Sequence, residues 1–358
     1  MRLNRLRVSQ FRNVAFADLP FAGTRTFLFG ENAQGKTNLL ESVSLLTALR
    51  SFRTRDLKQL IRHGEKTAQA SFELEHEIEG ETQVLFAIDA SGAKRVEIGE
   101  GTPVKRMGEF VGRFPAVVFS SEDVAILRGA PSVRRRWFDV TFSAVSAEYL
   151  TQLQRFYRAL ESRNKLLKNE ASAAGQMLAF EKIMAESGEF LVRAREREML
   201  GLAEKFAEMA RRILGNSAAP ELLYAPSVRA DGVPVWEAFF ERSRRTDFIF
   251  HATQKGPHRD DFHFRLNGKN AADFASEGQQ RGLSLALGLA QLALFRERTK
   301  IAPIVLADDV LSELDPIRRE NFWREVGDEL QVIATGTQLP PNPEQWTIFN
   351  VVNGTYSQ

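Results

Sequence analysis

Residues Gly30 to Thr37 have the sequence G-E-N-A-Q-G-K-T, with glycines at the first and sixth positions. The apolar run from Thr26 to Phe29 predicts a short buried strand before them, and Thr37 to Val43 predicts the first turns of a helix after them. A strand, a glycine loop and Lys-Thr at the start of a helix are typical of a phosphate-binding loop, because backbone N–H groups and the helix dipole attract phosphate there. The sequence therefore predicts a nucleoside triphosphate site, and the alternative is an ordinary glycine loop.

Each part of this loop has an expected role. The ammonium of Lys36 is expected to reach the β- and γ-phosphates, and the hydroxyl of Thr37 to hold Mg²⁺. The predicted nucleotide-binding set is Gly30, Glu31, Asn32, Ala33, Gln34, Gly35, Lys36, Thr37 and Asn38.

The composition is that of a soluble globular protein. The 358 residues are enough for about two domains, with 43% hydrophobic and 26% charged residues. The absence of cysteine excludes disulfides and cysteine-based zinc or nucleophilic sites, and it fits a reducing cytosol. No signal peptide and no apolar run of about 20 residues is present, so we expect a cytoplasmic protein without a membrane segment.

Charge is distributed unevenly along the chain. The net charge is only +2, but the residues up to Gly64 include eleven basic and four acidic side chains. Such clustering is typical of surfaces that bind polyanions, although a solvated face explains it equally well. The basic residues just after the first helix are the candidates for DNA contact, or else for surface salt bridges: Arg50, Arg53, Arg55 and Lys58.

The pattern changes several times along the chain. Leu6 to Val8 predicts an edge strand, Ala68 to Ile98 alternates as in antiparallel hairpins, and Phe114 to Phe119 predicts another strand. Ser132 is a candidate N-cap for a helix that begins at Val133. Two long helical runs follow, at residues 147–169 and 177–214, which could project as an antiparallel arm or pack as a bundle on the core.

Further strands and one buried helix are predicted towards the end of the chain. Leu222 to Val228 and Phe248 to Phe250 have strand-like composition, whereas Leu283 to Phe295 is apolar nearly all round and predicts a buried helix. Ile304 to Ala307 predicts a central strand that ends in Asp308 and Asp309.

A nucleotide site with a phosphate-binding loop also needs carboxylates from a second strand, and two adjacent aspartates at the end of an apolar strand meet this need. Asp308 is expected to hold Mg²⁺ opposite Thr37, and Asp309 to orient or deprotonate the attacking water. About 270 residues separate Thr37 from Asp308, so a long insertion between two halves of one sheet is expected.

A second anion site is predicted at S-E-G-Q-Q-R, residues Ser276 to Arg281, where a serine and a glycine begin the buried helix. One nucleotide does not need two phosphate clamps. We therefore expect this segment to complete the site of a neighbouring molecule.

Together these motifs resemble those of the ABC-type ATPases and, within them, the RecF family of DNA repair ATPases, which are relatives of the SMC and Rad50 heads. The match extends over nearly the whole chain and is least distinct from about 146 to 250. Besides the phosphate-binding loop, the resemblance rests on the following segments: Phe11-Arg12-Asn13, Arg134-Arg135-Arg136 with Asp139, Gly256 to Asp261 (G-P-H-R-D-D), Ser276 to Arg281, Asp308-Asp309 and Ser312 to Asp315.

The resemblance implies an α/β fold, with an ABC-type head made of a mixed phosphate-loop sheet and an antiparallel β subdomain, plus an inserted helical arm. The domains it implies are 1–130 and 251–358 as the two halves of the head and 131–250 as the arm. The cofactors it implies are ATP and Mg²⁺, and Arg12 joins the expected nucleotide-binding residues.

For function, the resemblance implies an ATP-dependent DNA-binding protein of recombinational repair, replication restart and the SOS response. It implies a head-to-head homodimer in which Ser276, Gly278 and Gln279 of one copy cap the ATP held by the other. It also implies binding to duplex or gapped DNA, cooperation with RecR and RecO in loading recombinase, and localisation at the nucleoid. A weak DNA-stimulated ATPase, with slow hydrolysis as a release switch, is the implied enzymatic activity.

The sequence departs from the family pattern at a few positions. Ala33 stands where the family usually has glycine, and a positive φ there would cost about 1 kcal/mol or more. Ser121 replaces a proline, and Thr335 and Thr337 stand where transporter ATPases carry a switch histidine. The alternatives are a transporter's nucleotide-binding subunit, which would lack the arm and G-P-H-R-D-D, and an SMC- or Rad50-like structural ATPase, which would need a far longer coiled coil.

Overall fold

The computed structural model describes residues 1–54, 56–168, 174–310 and 314–358. The chain forms two compact units, of which the first comprises residues 1–123, 212–214 and 281–358 and the second comprises 124–211 and 215–280. The second unit thus continues 30 residues beyond the predicted end of the arm at 250. The reason is strand pairing, because Asp261–Leu266 is hydrogen-bonded to Pro220–Ala225 within that unit.

A six-stranded sheet forms the centre of the first unit. Its strands are β3 (Arg25–Phe29), β8 (Ala116–Ser120), β12 (Ile304–Asp308), β13 (Val332–Gly336), β14 (Thr347–Val352) and β15 (Thr355–Ser357). Their order across the sheet is β15-β14-β3-β13-β12-β8, and all neighbours are parallel except the β14–β15 pair. All five residues of β12 and of β13 are buried, as expected for apolar strands covered on both faces.

Three helices accompany this sheet: α1 (Lys36–Ala48), α8 (Glu277–Thr299) and α9 (Pro316–Val326). The predicted burial of α8 is confirmed, because residues 282–292 are all buried. Gly288 of α8 lies so close to Phe119 that a Cβ would be 2.6 Å from its ring. The division between the two units falls inside α8, after Gln280.

The second sheet of this unit is antiparallel, as the alternating sequence predicts. Its strands are β1 (Arg2–Phe11), β2 (Val14–Pro20), β4 (Thr67–His76), β5 (Gly80–Asp89), β6 (Lys94–Ile98) and β7 (Thr102–Pro103). Their order across the sheet is β2-β1-β4-β5-β6-β7. The prediction of an edge strand at Leu6 to Val8 is wrong, since β1 pairs with β2 on one side and β4 on the other.

The second unit is a packed α/β body in which the two long helices lie with other elements rather than as an isolated pair. They are α4 (Ala147–Lys168) and α5 (Ala174–Leu214), accompanied by α2 (Val124–Arg128), α3 (Pro131–Val145), α6 (Val233–Ile249), α7 (Ala271–Phe274) and a sheet of β9 (Pro220–Ala225), β10 (Asp261–Leu266) and β11 (Lys269–Asn270). The expected turn between the long helices begins at residues 171–173, which lie outside the described ranges.

Two local predictions in this unit are wrong. Helix α3 begins at Pro131 with Ala130 as its N-cap, so Ser132 lies inside the helix; proline suits the first helical position because its missing N–H is not needed there. Phe248 and Ile249 end helix α6, whose Trp236 and Phe240 are buried at helical spacing. None of the helices in the described ranges is long and apolar enough to cross a membrane.

Candidate functional site

The phosphate-binding loop has the strand, loop and helix predicted for it. Strand β3 ends at Phe29, and α1 begins at Lys36 after Gly35, whose φ of 117° favours glycine. The Lys36 side chain is buried, and its Nζ donates to the carbonyl oxygens of Gly30 at 2.7 Å and Glu31 at 2.9 Å. The ammonium is therefore held by the backbone of the first two residues of the loop.

Ala33 adopts the left-handed conformation, with a φ of 64°. Glycine would adopt this conformation without strain, whereas alanine destabilises it by about 1 kcal/mol. Glu31, Asn32 and Ala33 are all exposed, so their side chains do not contribute burial that would offset this strain.

Thr37 and Asp308, 271 positions apart in the chain, meet at the end of the parallel sheet. The hydroxyl of Thr37 donates to Asp308 Oδ1 at 2.8 Å, and the hydroxyl of Thr335 donates to the same oxygen at 3.0 Å. Thr335 also accepts a hydrogen bond from the backbone N–H of Asp309 at 3.0 Å. The order β3-β13-β12 places these three segments side by side, because the carboxyl ends of parallel strands lie at one edge.

The oxygens of Thr37 and Asp308 fit a magnesium site. Mg²⁺ prefers oxygen ligands such as carboxylates, hydroxyls, phosphates and water. The Thr37 hydroxyl and Asp308 Oδ1 are hydrogen-bonded at 2.8 Å, so the two oxygens are close enough to bind one ion. Phosphate oxygens and water would supply the remaining ligands, as is usual for this ion.

Carboxyl groups are concentrated at this edge of the sheet. Burial raises the pKa of Asp308, the hydrogen bonds from Thr37 and Thr335 oppose that rise, and the charge of Asp309 adds to it. Burial also raises the pKa of Asp123, just beyond β8, to about 7; the Ser120 amide opposes this, and the charges of Glu122 and Asp308 add to it. A bound cation would therefore be stabilised here.

Asp123 was not predicted from the sequence. It follows β8, which pairs with β12 so that Ser120 lies opposite Asp308. The S-S-E-D segment is visible in the sequence, but only the strand order places its last carboxylate near the others.

Arg12 and Arg53 meet at one buried carboxylate on α1. Arg12 binds Glu41 through two hydrogen bonds of 2.9 and 2.7 Å, and Arg53 lies 3.4 Å from the same side chain. Arg53 also donates to Asn38 Oδ1 at 2.8 Å, one residue after Thr37. The candidate nucleotide contact and one candidate DNA contact are therefore connected through α1.

The other predicted DNA contacts differ in what the structure shows of them. Arg50 and Lys58 are exposed, and Arg55 lies outside the described residues. Lys94 of β6 lies close enough to Arg50 that, after burial, the charge of Arg50 further lowers the pKa of Lys94. Arg50 and Lys94, both exposed, therefore add positive charge to one region of the surface.

The segment Ser276 to Gln280 begins α8 and belongs to the second unit. Ser276 Oγ accepts from the Gln279 N–H at 3.3 Å, and Gln279 Oε1 accepts from the Ser276 N–H at 2.9 Å, which is a capping box. Ser276 is exposed, and Gly278 and Gln279 are half-buried. Gln280 is buried instead, and its amide donates to the carbonyls of Ala271, Ala272 and Ala275.

The motifs G-P-H-R-D-D and R-R-R bind each other inside the second unit. Arg134 makes two hydrogen bonds to Asp261, and Arg135 donates to the Asp260 carbonyl. His258 Nε2 lies 3.0 Å from the Thr253 carbonyl, and burial lowers the pKa of His258 to about 4. His258 is therefore neutral at pH 7, which fits a structural role.

Fully buried arginines complete this arrangement. Arg195 of α5 binds Asp139 of α3 at 2.8 Å and Asp260 at 2.7 Å, and it also donates to the Pro257 carbonyl. Arg163 of α4 binds Glu181 and Asp247 in the same way. These buried carboxylates of the second unit are thus neutralised within it.

Known proteins resemble this chain over its full length. The family model described as the RecF/RecN/SMC N-terminal domain matches residues 2–340. A DNA replication and repair protein RecF from Thermosynechococcus vestitus is 36% identical over 99% of this chain and 97% of its own. A solved structure of the recombination mediator protein RecF-ATP in the RecFOR pathway has a TM-score of 0.90 and 28% identity, covering 99% of this chain and 96% of that one. An SMC head bound to the C-winged helix domain of ScpA has a TM-score of 0.54 at 14% identity, which shows likeness of fold alone.

Proposed function

Since this chain belongs to the RecF family of DNA replication and repair proteins, we propose that it is an ATP-driven switch that binds DNA and releases it on slow hydrolysis. The observation that carries the proposal is the set of hydrogen bonds joining Thr37, Asp308, Thr335 and Asp309. The full-length match to RecF relatives leaves the transporter subunit and the coiled-coil structural ATPase without support.

Binding of ATP is proposed to begin with Lys36. Its ammonium would exchange the carbonyls of Gly30 and Glu31 for β- and γ-phosphate oxygens, while the loop's N–H groups and the start of α1 receive the remaining negative charge. Mg²⁺, when bound, would neutralise the charge that develops on the phosphates. Thr37 and Asp308 would hold it.

Hydrolysis is proposed to depend on Asp309 as the residue that orients or deprotonates water. The Thr335 hydroxyl is hydrogen-bonded to both the backbone of Asp309 and the carboxylate of Asp308. A movement of either aspartate during hydrolysis would therefore move Thr335. An aspartate has a shorter reach than a glutamate, and this suits slow turnover.

Single-turnover hydrolysis tests this role. Asp309→Ala should lower the hydrolysis rate by about 100-fold or more while ATP still binds. Asp309→Glu is the matched comparison, because it keeps the carboxylate and extends it. Hydrolysis by Asp309→Ala at the parent rate would remove Asp309 from this role.

The competent form is proposed to be an ATP-dependent homodimer in which Ser276, Gly278 and Gln279 of a second copy complete the site. Support comes from the exposure of Ser276 at the start of a long helix. Light scattering with ATP and Mg²⁺ should show a dimer for the parent chain and a monomer for Ser276→Arg. Thr102→Arg, at an exposed hydroxyl of β7, is the matched control, and it should still dimerise. A parent that stays monomeric with ATP, Mg²⁺ and DNA would contradict the shared site.

The partner is proposed to be duplex or gapped DNA, bound through Arg50, Lys58 and the neighbouring basic side chains. Replacing one arginine or lysine that binds a DNA phosphate should reduce the dependence of log Kd on log salt by about one. Cooperation with RecR and RecO, recombinase loading and a cytoplasmic, nucleoid-associated location are proposed from the family and from the pathway named for the solved relative.

A further inference from the structure

The hairpin of β14 and β15 is hydrogen-bonded to the phosphate-binding loop at three points. The N–H of Gly354 donates to the Gln34 carbonyl at 2.7 Å, and the N–H of Asn353 donates to Gln34 Oε1 at 2.7 Å. The hydroxyl of Tyr356 donates to the Gly35 carbonyl at 2.9 Å. All three bonds end on the two residues that connect Ala33 to Lys36.

The hairpin lies so close to the start of the loop that Gly30 has no room for a side chain. A Cβ on Gly30 would be 2.4 Å from the carbonyl oxygen of Val351, whereas a Cβ on Gly35 would be 3.0 Å from Asn13 Oδ1 and 3.3 Å from the Tyr356 hydroxyl. Burial raises the pKa of Tyr356, so its hydroxyl keeps its proton and remains a donor.

The three hydrogen bonds from the hairpin hold the residues next to the most strained position of the loop backbone. Ala33 has a φ of 64°, a conformation that L-residues with a side chain avoid. An exposed loop with such a residue returns to relaxed conformations unless its neighbours are held. Gln34, the next residue, is held through both its backbone and its side chain.

We infer that the β14–β15 hairpin is a brace that keeps the strained phosphate-binding loop in its nucleotide-binding conformation. Tyr356 and Gln34 are positioning residues for ATP, acting through the carbonyl of Gly35 and the backbone around Ala33. The inference rests on the proposed binding of ATP at this loop. Because the apparent Kd equals the intrinsic Kd divided by the fraction of competent protein, loss of one hydrogen bond of the brace should weaken ATP binding about 3- to 10-fold.

The test is a titration of full-length protein with ATP and Mg²⁺, using the parent, Tyr356→Phe and the matched control Tyr157→Phe, which removes a hydroxyl from the second unit. Tyr356→Phe should raise the Kd and the KM for ATP about 3- to 10-fold and leave kcat unchanged. Tyr157→Phe should match the parent. The KM increase with constant kcat separates positioning from general loss of structure.

Ala33→Gly tests the connection between strain and brace. Glycine removes the strain, so Tyr356→Phe should raise the Kd less than twofold in an Ala33→Gly background. Gln34→Ala is the second variant if Tyr356→Phe folds poorly, because it removes only one acceptor, and it should weaken binding in the same range.

The outcomes separate the two proposals. A parent chain that binds no ATP would overturn the proposed function and the brace with it. A parent that binds ATP while Tyr356→Phe and Gln34→Ala bind equally well would overturn the brace alone. If Tyr356→Phe weakens binding equally with and without the Ala33→Gly substitution, the brace is also overturned, because it would then not be opposing the strain.

Discussion

Buried carboxylates occur in both compact units, but they are neutralised differently. In the second unit, Asp139 and Asp260 are paired with Arg195, whose side chain is fully buried. In the first unit, Asp308 is 8% exposed and is held by the hydroxyls of Thr37 and Thr335. Within the described ranges, no arginine or lysine forms a hydrogen bond or an ion pair with Asp308, and the charge of Arg53 only partly opposes the rise that burial causes in the pKa of Asp308.

This difference separates a structural site from one that awaits an external cation. Carboxylates paired with buried arginines connect helices and are expensive to disturb, because removing one partner leaves the other charge desolvated. Carboxylates held only by hydroxyls keep an elevated free energy, which a divalent cation lowers when it binds. Both sets of carboxylates are buried. Whether the groups that contact them are arginines or hydroxyls therefore decides whether a set connects helices or binds a cation.

The largest effect is expected from Arg195→Met. It leaves Asp139 and Asp260 buried without their cation, and it should lower the free energy of unfolding by about 3–5 kcal/mol. Arg193→Met, two residues away on α5 with an exposed side chain paired to Glu189 and Asp231, should lower it by less than about 1 kcal/mol. Urea unfolding of both variants makes the comparison, and equal losses would contradict the structural role of the buried network.

A smaller effect on the free energy of unfolding is expected when the pH is lowered, and it depends on His258. Burial holds its pKa at about 4, so between pH 6.5 and 5 the unfolded chain takes up a proton that the folded chain does not. Stability should therefore fall on acidification, by about 1 kcal/mol more in the parent than in His258→Gln. Arg135 and Arg259 favour the neutral ring, while Asp260 and the Thr253 carbonyl favour the charged one. Identical pH profiles for the two proteins would show that His258 is not held neutral.

The smallest effect on stability is expected from Asp308→Asn. The folded-state pKa of Asp308 is raised, so its charge weakens folding above the unfolded pKa, and a neutral amide removes that penalty. Thermal unfolding without nucleotide at pH 7 should show a stability equal to or above that of the parent. Asp260→Asn is the comparison in the second unit, and it should lose about 3 kcal/mol because Arg195 loses an anion. A loss of more than about 1 kcal/mol in Asp308→Asn would contradict the distinction between the clusters.

The local parts of the site follow from the sequence. A strand, a glycine loop and a helix start are encoded within about 20 residues, and two aspartates after an apolar strand can be placed against them because parallel strands end at a common edge. Thr37 and Asp308 are accordingly in contact.

The remaining features depend on pairings between distant segments. Arg195 and Asp139 are 56 positions apart in the chain, and Tyr356 and Gly35 are 321 positions apart. Sequence periodicity describes only local structure, so it predicts neither contact. The interior position of β1 in its sheet depends on its pairing with β4. The prediction of a strand at Phe248 to Phe250 failed because three consecutive apolar residues show neither helical nor strand periodicity. Their conformation is set by helix α6, which continues through Ile249.

The central sheet also determines when the protein can become active during its synthesis. Strand β3, at residues 25–29, has both of its neighbours at residues 332–352, and Gln331 bonds the backbone of Leu3 across 328 positions. The early segment must therefore leave the ribosome and remain without these neighbours until almost the entire chain has been made. The second unit lies entirely within residues 124–280, so all of it is made before β12, β13 and β14, and it can fold during that interval. A chain truncated before β13 would thus lack a nucleotide site, although it contains the whole phosphate-binding loop.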